Sequence, residues 1–380
     1  MKKTLLLTPG PTSVPEDVLE AMARPIIHHR HEPFKKIMAK VKEDLKYLFQ
    51  TKNDVLIFSS SGTGAMEGAV SNFLCRGDKA IVIEGGKFGE RWTEICNAFG
   101  VEPIIIDVPW GQAADPVKVK AALDKNPDAK ALFIQASETS TAVTHPVKEI
   151  ATLVAPRENT LMVVDAITAL GVFDIQTDAW NLDIVITGSQ KALMLPPGLA
   201  FASVSEKAWR FAEKSDLPRF YFDFAKEKKN QEKNQTAYTS SVSLIVGLEA
   251  SLNRIKDEGL EALFARTEKL AKATREGVTA LGLELLSPEA PSAACTAVKI
   301  PEGIDGAKIP SLIRDRYGVA IAGGQAHLKG KIVRLSHMGY VSGYDILAGL
   351  AALEFTLRDL GHPVEIGASV KSALSVLAAQ

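Results

Sequence analysis

The stretch Asp183-Ile-Val-Ile-Thr-Gly-Ser-Gln-Lys191-Ala-Leu-Met-Leu-Pro-Pro-Gly198 decides how this chain reads. An acidic residue and a β-branched apolar run come first, a small polar turn comes next, then one lysine, then a Pro-Pro-Gly stop. Ile184-Val185-Ile186 lacks alternation, as a strand buried on both faces of a parallel sheet does. Lys191 then falls just past the strand's carboxyl end, where open α/β sheets bind ligands. A lysine there is either a cation for a phosphate or an amine that loses its proton on partial desolvation and becomes a nucleophile. The competing reading is a solvated loop lysine, the ordinary state of the residue.

A second run narrows the choice. Thr160-Leu-Met-Val-Val-Asp165-Ala-Ile-Thr-Ala-Leu-Gly171 repeats the buried-strand pattern and ends in an aspartate. A carboxylate at one strand end, with a lysine at the end of the next, suits pyridoxal 5′-phosphate. That cofactor needs a lysine for its aldehyde and an acid to keep its pyridine nitrogen protonated. The alternative for Asp165 is a helix N-cap.

Outward from these two runs, strands and helices alternate. Val55–Phe58, Lys79–Ile83, Pro103–Ile106, Ala131–Ile134, Leu161–Val164 and Ile184–Ile186 read as strands, with Ala200–Val204 as a further one. Helices fit over Pro33–Phe49, Gly64–Leu74 and Lys87–Phe99. The pattern predicts an α/β fold, a large domain with a mainly parallel sheet wrapped by helices. The charged, amide-rich segment Asp223–Gln235 reads as a solvated loop or frayed helix. Long helices come next over Val242–Lys256 and Leu260–Leu281, the second placed to bridge two domains. Leu283–Leu286, Thr296–Ile300, Val319–Ile321 and Ile332–Leu335 then predict a smaller C-terminal α/β domain. The expected division is an N-terminal arm over 1–20, a large domain over 21–257 and a small domain over 258–380.

The chain's 380 residues allow two domains and a large core. A formal net charge of -1 gives no attraction to nucleic acid or an acidic membrane. Cys75, Cys96 and Cys295 are widely spaced and odd in number, which argues for reduced thiols in the cytoplasm rather than disulfides or a zinc site. The apolar run Leu5-Leu6-Leu7 is too short for a secretory or membrane-spanning segment.

The chain resembles the class V, fold type I pyridoxal-phosphate-dependent aminotransferases, in particular the alanine–glyoxylate/serine–pyruvate group. The resemblance rests on Leu7-Thr8-Pro9-Gly10-Pro11-Thr12, Ser59-Ser-Ser-Gly-Thr-Gly-Ala-Met-Glu67, Glu138-Thr-Ser-Thr141, Val164-Asp165, Gly188-Ser-Gln-Lys191-Ala and Arg334, in family order. The glycine-rich turn into a helix at Ser60–Ala65 suits an anion on physical grounds alone. By resemblance Ser61, Gly62 and Thr63 hold the cofactor phosphate, and Gln190 is a further donor. Phe88 corresponds to an aromatic that stacks on the pyridine ring; otherwise it is a core residue at a helix start. Ser140 corresponds to a small hydroxyl residue beside the ring; otherwise it closes a turn. Thr239 corresponds to a threonine that reaches the phosphate in a neighbouring subunit, which implies a homodimer with shared active sites; otherwise it caps a helix. Relatives carry proline soon after that threonine, where this chain has Ser240 and Ser241.

At the substrate end, a guanidinium inside the apolar run around Arg334 is costly unless it pairs, and relatives place an arginine there to bind an α-carboxylate. By resemblance, Gly10 lies in the N-terminal loop that lines the substrate pocket. His28, His29 and His31 lack the spacing and companions of a metal site, so none is expected. His327 and His337 are near enough to Arg334 in sequence to touch substrate. The resemblance implies ping-pong transfer of an amino group from alanine or serine to glyoxylate or pyruvate, with Lys191 as Schiff-base lysine and general base. The alternatives are an aspartate or 2-aminoethylphosphonate transaminase, a lyase or cysteine desulfurase, and a non-catalytic, hydrogenase-associated subunit that retains the cofactor. No second arginine is marked for a side-chain carboxylate, which disfavours aspartate. Ser-Gly-Thr-Gly-Ala-Met lacks the third glycine of a dinucleotide fingerprint.

Overall fold

The computed structural model describes residues 4–379; Met1, Lys2, Lys3 and Gln380, at the ends of the expected arm and C-terminal domain, lie outside the described residues. The main sheet has seven strands, in the spatial order Val55–Phe58, Ala200–Val204, Ile184–Gly188, Leu161–Asp165, Ala131–Gln135, Lys79–Glu84 and Glu102–Asp107. Ala200–Val204 runs antiparallel to both neighbours, and every other pairing is parallel. Side chains alternate faces along a strand, and the two cores divide accordingly. Ile57, Ile81, Ile83, Leu132, Ile134 and Val164 meet Phe34, Met38 and Leu45 of the helix Glu32–Phe49. Leu56, Ala80, Val82, Phe133 and Val163 meet Met66 and Phe73 of the helix Gly62–Phe73 and Trp92 of the helix Lys87–Phe99. Burial on both faces is why these runs show no alternation in sequence. Pro103 is tolerated because its strand is the sheet edge.

A third core surrounds the antiparallel strands Cys295–Lys299, Ile332–Ser336 and Ala322–Gly323. Leu7 belongs to it, and Leu5–Leu6 pairs in parallel with Val319–Ala320. Leu5–Leu7 are therefore built into the C-terminal body. Gly259, at φ 80°, separates the helices Val242–Glu258 and Leu260–Ala280. The latter gives Leu263 to the main core and Leu270, Ala273 and Val278 to the third, so it does bridge the two.

Three expectations need correction. Asp223–Gln235 contains the helix Phe224–Gln231, capped by Asp223, whose side chain accepts from Lys226 N. Its charges hide one inward face: Phe224 is in the core, and Gln231 bonds both the N–H and the carbonyl of Ile57, at 3.2 and 2.8 Å. Leu283–Leu286 forms only an isolated bridge, Leu285 to Val298. The helix expected over Gly64–Leu74 runs instead over Gly62–Phe73, starting earlier by two residues.

Candidate active site

Register brings the polar strand ends together. Gln135 lies opposite Asp165, and Asp165 opposite Ile186, at the carboxyl edge of the sheet. Asp165 is buried, and one of its oxygens accepts from Ile167 N at 2.8 Å. A turn rather than a helix comes after it, so Asp165 is not an N-cap. Burial pushes its carboxyl up to about 7; the charge of Glu138 adds to this, while the Ile167 bond, Arg91 and Lys191 oppose it. A carboxyl in this state is short of a positive partner.

Lys191 occupies the turn after Ile184–Gly188. Thr12 fastens this turn: its N donates to Gln190 O at 3.2 Å and its Oγ1 to Lys191 O at 2.8 Å. Lys191 Nζ donates to Pro9 O at 2.6 Å. Gly10 has φ 121°, and a Cβ built there would lie 2.1 Å from Lys191 Nζ, so only glycine leaves the amine its space. Burial brings the amine down to about 8; Cys295 and Asp165 resist the shift, and Arg334 and Arg91 favour it. Lys191 and Asp165 act on each other, Arg91 acts on both and Arg334 on Lys191, which draws the four into one electrostatic site.

The start of the helix Gly62–Phe73 faces this site. Ser61 is at the N-cap position but makes no side-chain capping bond. First-turn N–H groups such as those of Gly62 and Thr63 have no acceptor within a helix and favour an anion. A Cβ on Gly62 would meet Ile167 Cδ1 at 2.4 Å, and one on Gly188 would lie 3.1 Å from Gln190 Oε1 and 3.3 Å from Gly62 N. The Gln190 amide is therefore beside the helix start, and its buried Oε1 has no partner.

Phe88 is half-buried in the first turn of Lys87–Phe99, with the Arg91 guanidinium 5.0 Å from its ring centre. Glu138, fully buried, organises this turn. Its carboxylate accepts from Phe88 N at 3.1 Å, Gly89 N at 3.0 Å and the amide and hydroxyl of Ser140. Ser140 Oγ in turn accepts from Lys87 N at 3.0 Å. The Ser140 hydroxyl thus serves the turn that carries Phe88. Sequence reasoning passed over Arg91 as a site residue and used Glu138 only as part of a motif. Arg91 was open to detection, since it lies three residues after Phe88 and shares its helix face.

Arg334, 6% exposed, projects from Ile332–Ser336. Its Nε and Nη2 donate to Gly323 O at 3.1 and 2.9 Å, and Nη1 to Thr139 O at 2.8 Å. A guanidinium has five N–H groups; three are used, so one on each terminal nitrogen remains. Free donors on the two terminal nitrogens are what bidentate binding of a carboxylate draws on. Among the described residues Arg334 has no carboxylate partner.

Other sequence candidates lie around this centre. Thr239 is exposed, and the residue at the N-cap of the next helix is Ser241. Ser241 N and Oγ bond Ser59 Oγ at 3.3 and 3.1 Å, a tie whose N–H a proline could not make. His337 is buried, bonded to Ala293 O and to Thr296, and its imidazole is pushed down to about 3. His327 packs on Trp110, and His28, His29 and His31 cluster at the surface. Among the described residues no group of three or more His, Cys, Asp or Glu is arranged to hold a metal ion.

The residues present fit pyridoxal phosphate. A buried carboxyl short of a cation, a partly buried lysine brought near neutrality, an uncapped helix start and an orphaned glutamine oxygen beside it are the complementary groups. The comparisons agree. The family model "Aminotransferase class-V" matches residues 4–346. The chain is 43% identical to the "Soluble hydrogenase, small subunit" of Synechococcus over 99% of this chain and 98% of that one. It is 35% identical to the L-aspartate–glyoxylate aminotransferase of Paracoccus denitrificans (97% and 94% covered) and 36% to the serine–glyoxylate aminotransferase of Methylorubrum extorquens (98% and 95%). The crystal structure of ureidoglycine–glyoxylate aminotransferase from Bacillus subtilis superposes with a TM-score of 0.96 at 28% identity, covering 100% of this chain and 99% of that one. The chain belongs to the class-V aminotransferases, a family of pyridoxal-phosphate-dependent enzymes of the fold type I architecture.

Proposed function

We propose that this enzyme holds pyridoxal phosphate on Lys191 and transfers the amino group of a small amino acid, alanine or serine, to glyoxylate. The observation that carries this reading is that Lys191 feels the charges of both Asp165 and Arg334, while Arg334 keeps N–H donors free and has no carboxylate partner among the described residues. When bound, the cofactor supplies an aldehyde for the amino group and an electron-withdrawing ring. Asp165 would hold the proton on the ring nitrogen. Ser61, Gly62, Thr63 and Gln190 would hold the phosphate, Phe88 would stack on the ring, and Ser140 would keep that turn in place. Arg334 would bind the substrate α-carboxylate and so fix which bond of Cα faces Lys191. Lys191 Nζ, brought down to about 8, would take the proton from Cα and return it, as general base and then general acid. Gly10 would line the pocket and leave the amine room to move.

Glyoxylate is favoured over pyruvate because it is named for three otherwise different relatives, from Paracoccus, Methylorubrum and Bacillus. Their donors differ, and aspartate, named for the Paracoccus protein, is the second reading. The arm 1–20, large domain 21–257 and small domain 258–380 complete this reading. So do a cytoplasmic location and a homodimer in which Thr239 serves the partner's site. No helix among the described residues is long and apolar enough to cross a membrane. A desulfurase is disfavoured because burial raises the thiols, Cys295 up to about 11 and Cys96 up to about 12. A hydrogenase-associated binder would have no use for the Arg334 fork.

The test incubates the cofactor-loaded protein with alanine, serine, aspartate or 2-aminoethylphosphonate, each with glyoxylate or pyruvate, and measures the new amino acid. Glycine formed from glyoxylate with alanine or serine supports the reading. Transfer from aspartate alone would replace the donor. Sulfide release from cysteine without any amino transfer would end the reading.

A further inference from the structure

Arg91 has the geometry of a ligand-binding cation, and none of the proposed steps employs it. It lies on the helix Lys87–Phe99, one turn after Phe88. Its Nη1 donates to Thr63 Oγ1 at 3.2 Å, and its guanidinium lies over the Phe88 ring. Among the described residues it makes no ion pair, and its acidic neighbour Glu90 is taken by Lys87. Leaving a partly buried guanidinium without an anion is unfavourable. Four of its five N–H groups carry no bond in this arrangement.

The contact with Thr63 has a directional consequence. A hydroxyl that accepts from arginine keeps its own O–H to donate. Thr63 is the second residue of the helix Gly62–Phe73, so that O–H and the first-turn N–H groups lie at the same helix end. Arg91 therefore presents an oriented O–H donor, its own remaining N–H groups and a full positive charge where the helix dipole already favours an anion. Its charge is also felt at Lys191 and Asp165, so it lies within the site rather than on a remote surface.

We propose that Arg91 is a further binding residue for the cofactor phosphate, acting both directly and by turning the Thr63 hydroxyl toward it. The inference rests on the reading of this pocket as a pyridoxal phosphate site. Its stacking on Phe88 would tie phosphate binding to the placement of the ring, because one helix turn carries both.

The test compares the phosphorylated cofactor with its dephosphorylated form. Cofactor-free wild type, Arg91→Met and Arg91→Lys are titrated with pyridoxal phosphate and with pyridoxal, and binding is followed by absorbance. Loss of charge-assisted bonds predicts that Arg91→Met weakens pyridoxal phosphate about 10- to 100-fold. Pyridoxal, which lacks the phosphate, should change by less than about 3-fold. Arg91→Lys should recover part of the loss, since it restores charge without the fork. Thermal unfolding of the cofactor-free variants checks that the fold is intact. Parallel weakening of both ligands would make Arg91 a packing residue and overturn the proposal. So would an unchanged affinity for pyridoxal phosphate with a raised KM for the amino donor, which would assign Arg91 to substrate. Failure of wild type to bind either ligand would instead overturn the cofactor site itself.

Discussion

Lys191 combines two properties that are seldom found together in a lysine: a partly buried stem and an amine lowered to about 8. Trace acetylation of the cofactor-free protein, read by mass spectrometry, should show Lys191 reacting faster as pH rises and levelling off above about 8. Reactivity that still climbs past about pH 10 would show an ordinary solvated lysine. Gly10→Ala should cost more than about tenfold in transaminase activity, since the methyl would occupy the amine's position; unchanged kcat and KM would refute that crowding. The placement of Lys191 and Asp165 was legible in sequence because a buried strand has a readable carboxyl end, and that edge is the ligand side of such sheets. Arg91 was legible only as a neighbour of Phe88 on one helix face, not as a free cation. Its significance comes from helix phase and from Glu90 being occupied by Lys87, and both are facts of packing.

At the level of elements, the turn that begins Lys87–Phe99 depends on Glu138, which lies on a different strand. Glu138→Ala would leave the N–H groups of Phe88, Gly89 and Ser140 without their acceptor in a buried setting. A loss on the order of 3 kcal/mol is expected in urea unfolding, with Glu138→Gln losing less. A loss below about 0.5 kcal/mol for alanine would mean that water replaces the carboxylate. The elements themselves were largely readable: the helices at 87–99, 242–258 and 260–280 obey apolar periodicity, and the sheet strands stand out as short apolar runs. The misreadings have physical causes. Phe224–Gln231 buries one face through a capping aspartate and a glutamine bonded to a strand backbone, so hydropathy does not reveal it. Leu283–Leu286 has strand composition but finds only one bridging partner.

Over the whole molecule, the parallel sheet and the C-terminal body are joined by the helix Leu260–Ala280 and by the segment from Leu7, in the C-terminal core, to Pro9, bonded to Lys191. The antiparallel placement of Ala200–Val204 and the membership of Leu7 in the C-terminal core depend on long-range pairing, which local sequence does not carry. Two buried histidines make this assembly sensitive to acid. His145 Nδ1 accepts from Ala114 N, so a second proton would meet a donor, and burial pushes the imidazole down from 6.5 to about 4. His337 is shifted the same way. Below 6.5 the unfolded chain takes up protons that the folded chain refuses, so stability is lost as pH falls. His145 alone should account for roughly 3 kcal/mol between pH 6.5 and 4. Asp165, shifted upward, works in the opposite direction, so the effect is read as a difference. In urea unfolding, the gap between wild type and His145→Asn should shrink as pH falls through that window. A gap independent of pH would contradict the assignment.

The proposed chemistry stands or falls with Lys191 as the residue that holds the cofactor. Borohydride reduction of the pyridoxal-phosphate-loaded protein, with peptide mass spectrometry of wild type and Lys191→Ala, asks this of the molecule itself. A phosphopyridoxyl group is expected on the Lys191 peptide of wild type and on no peptide of a folded Lys191→Ala protein. A label on another lysine in wild type, with Lys191 unmodified, would overturn the assignment.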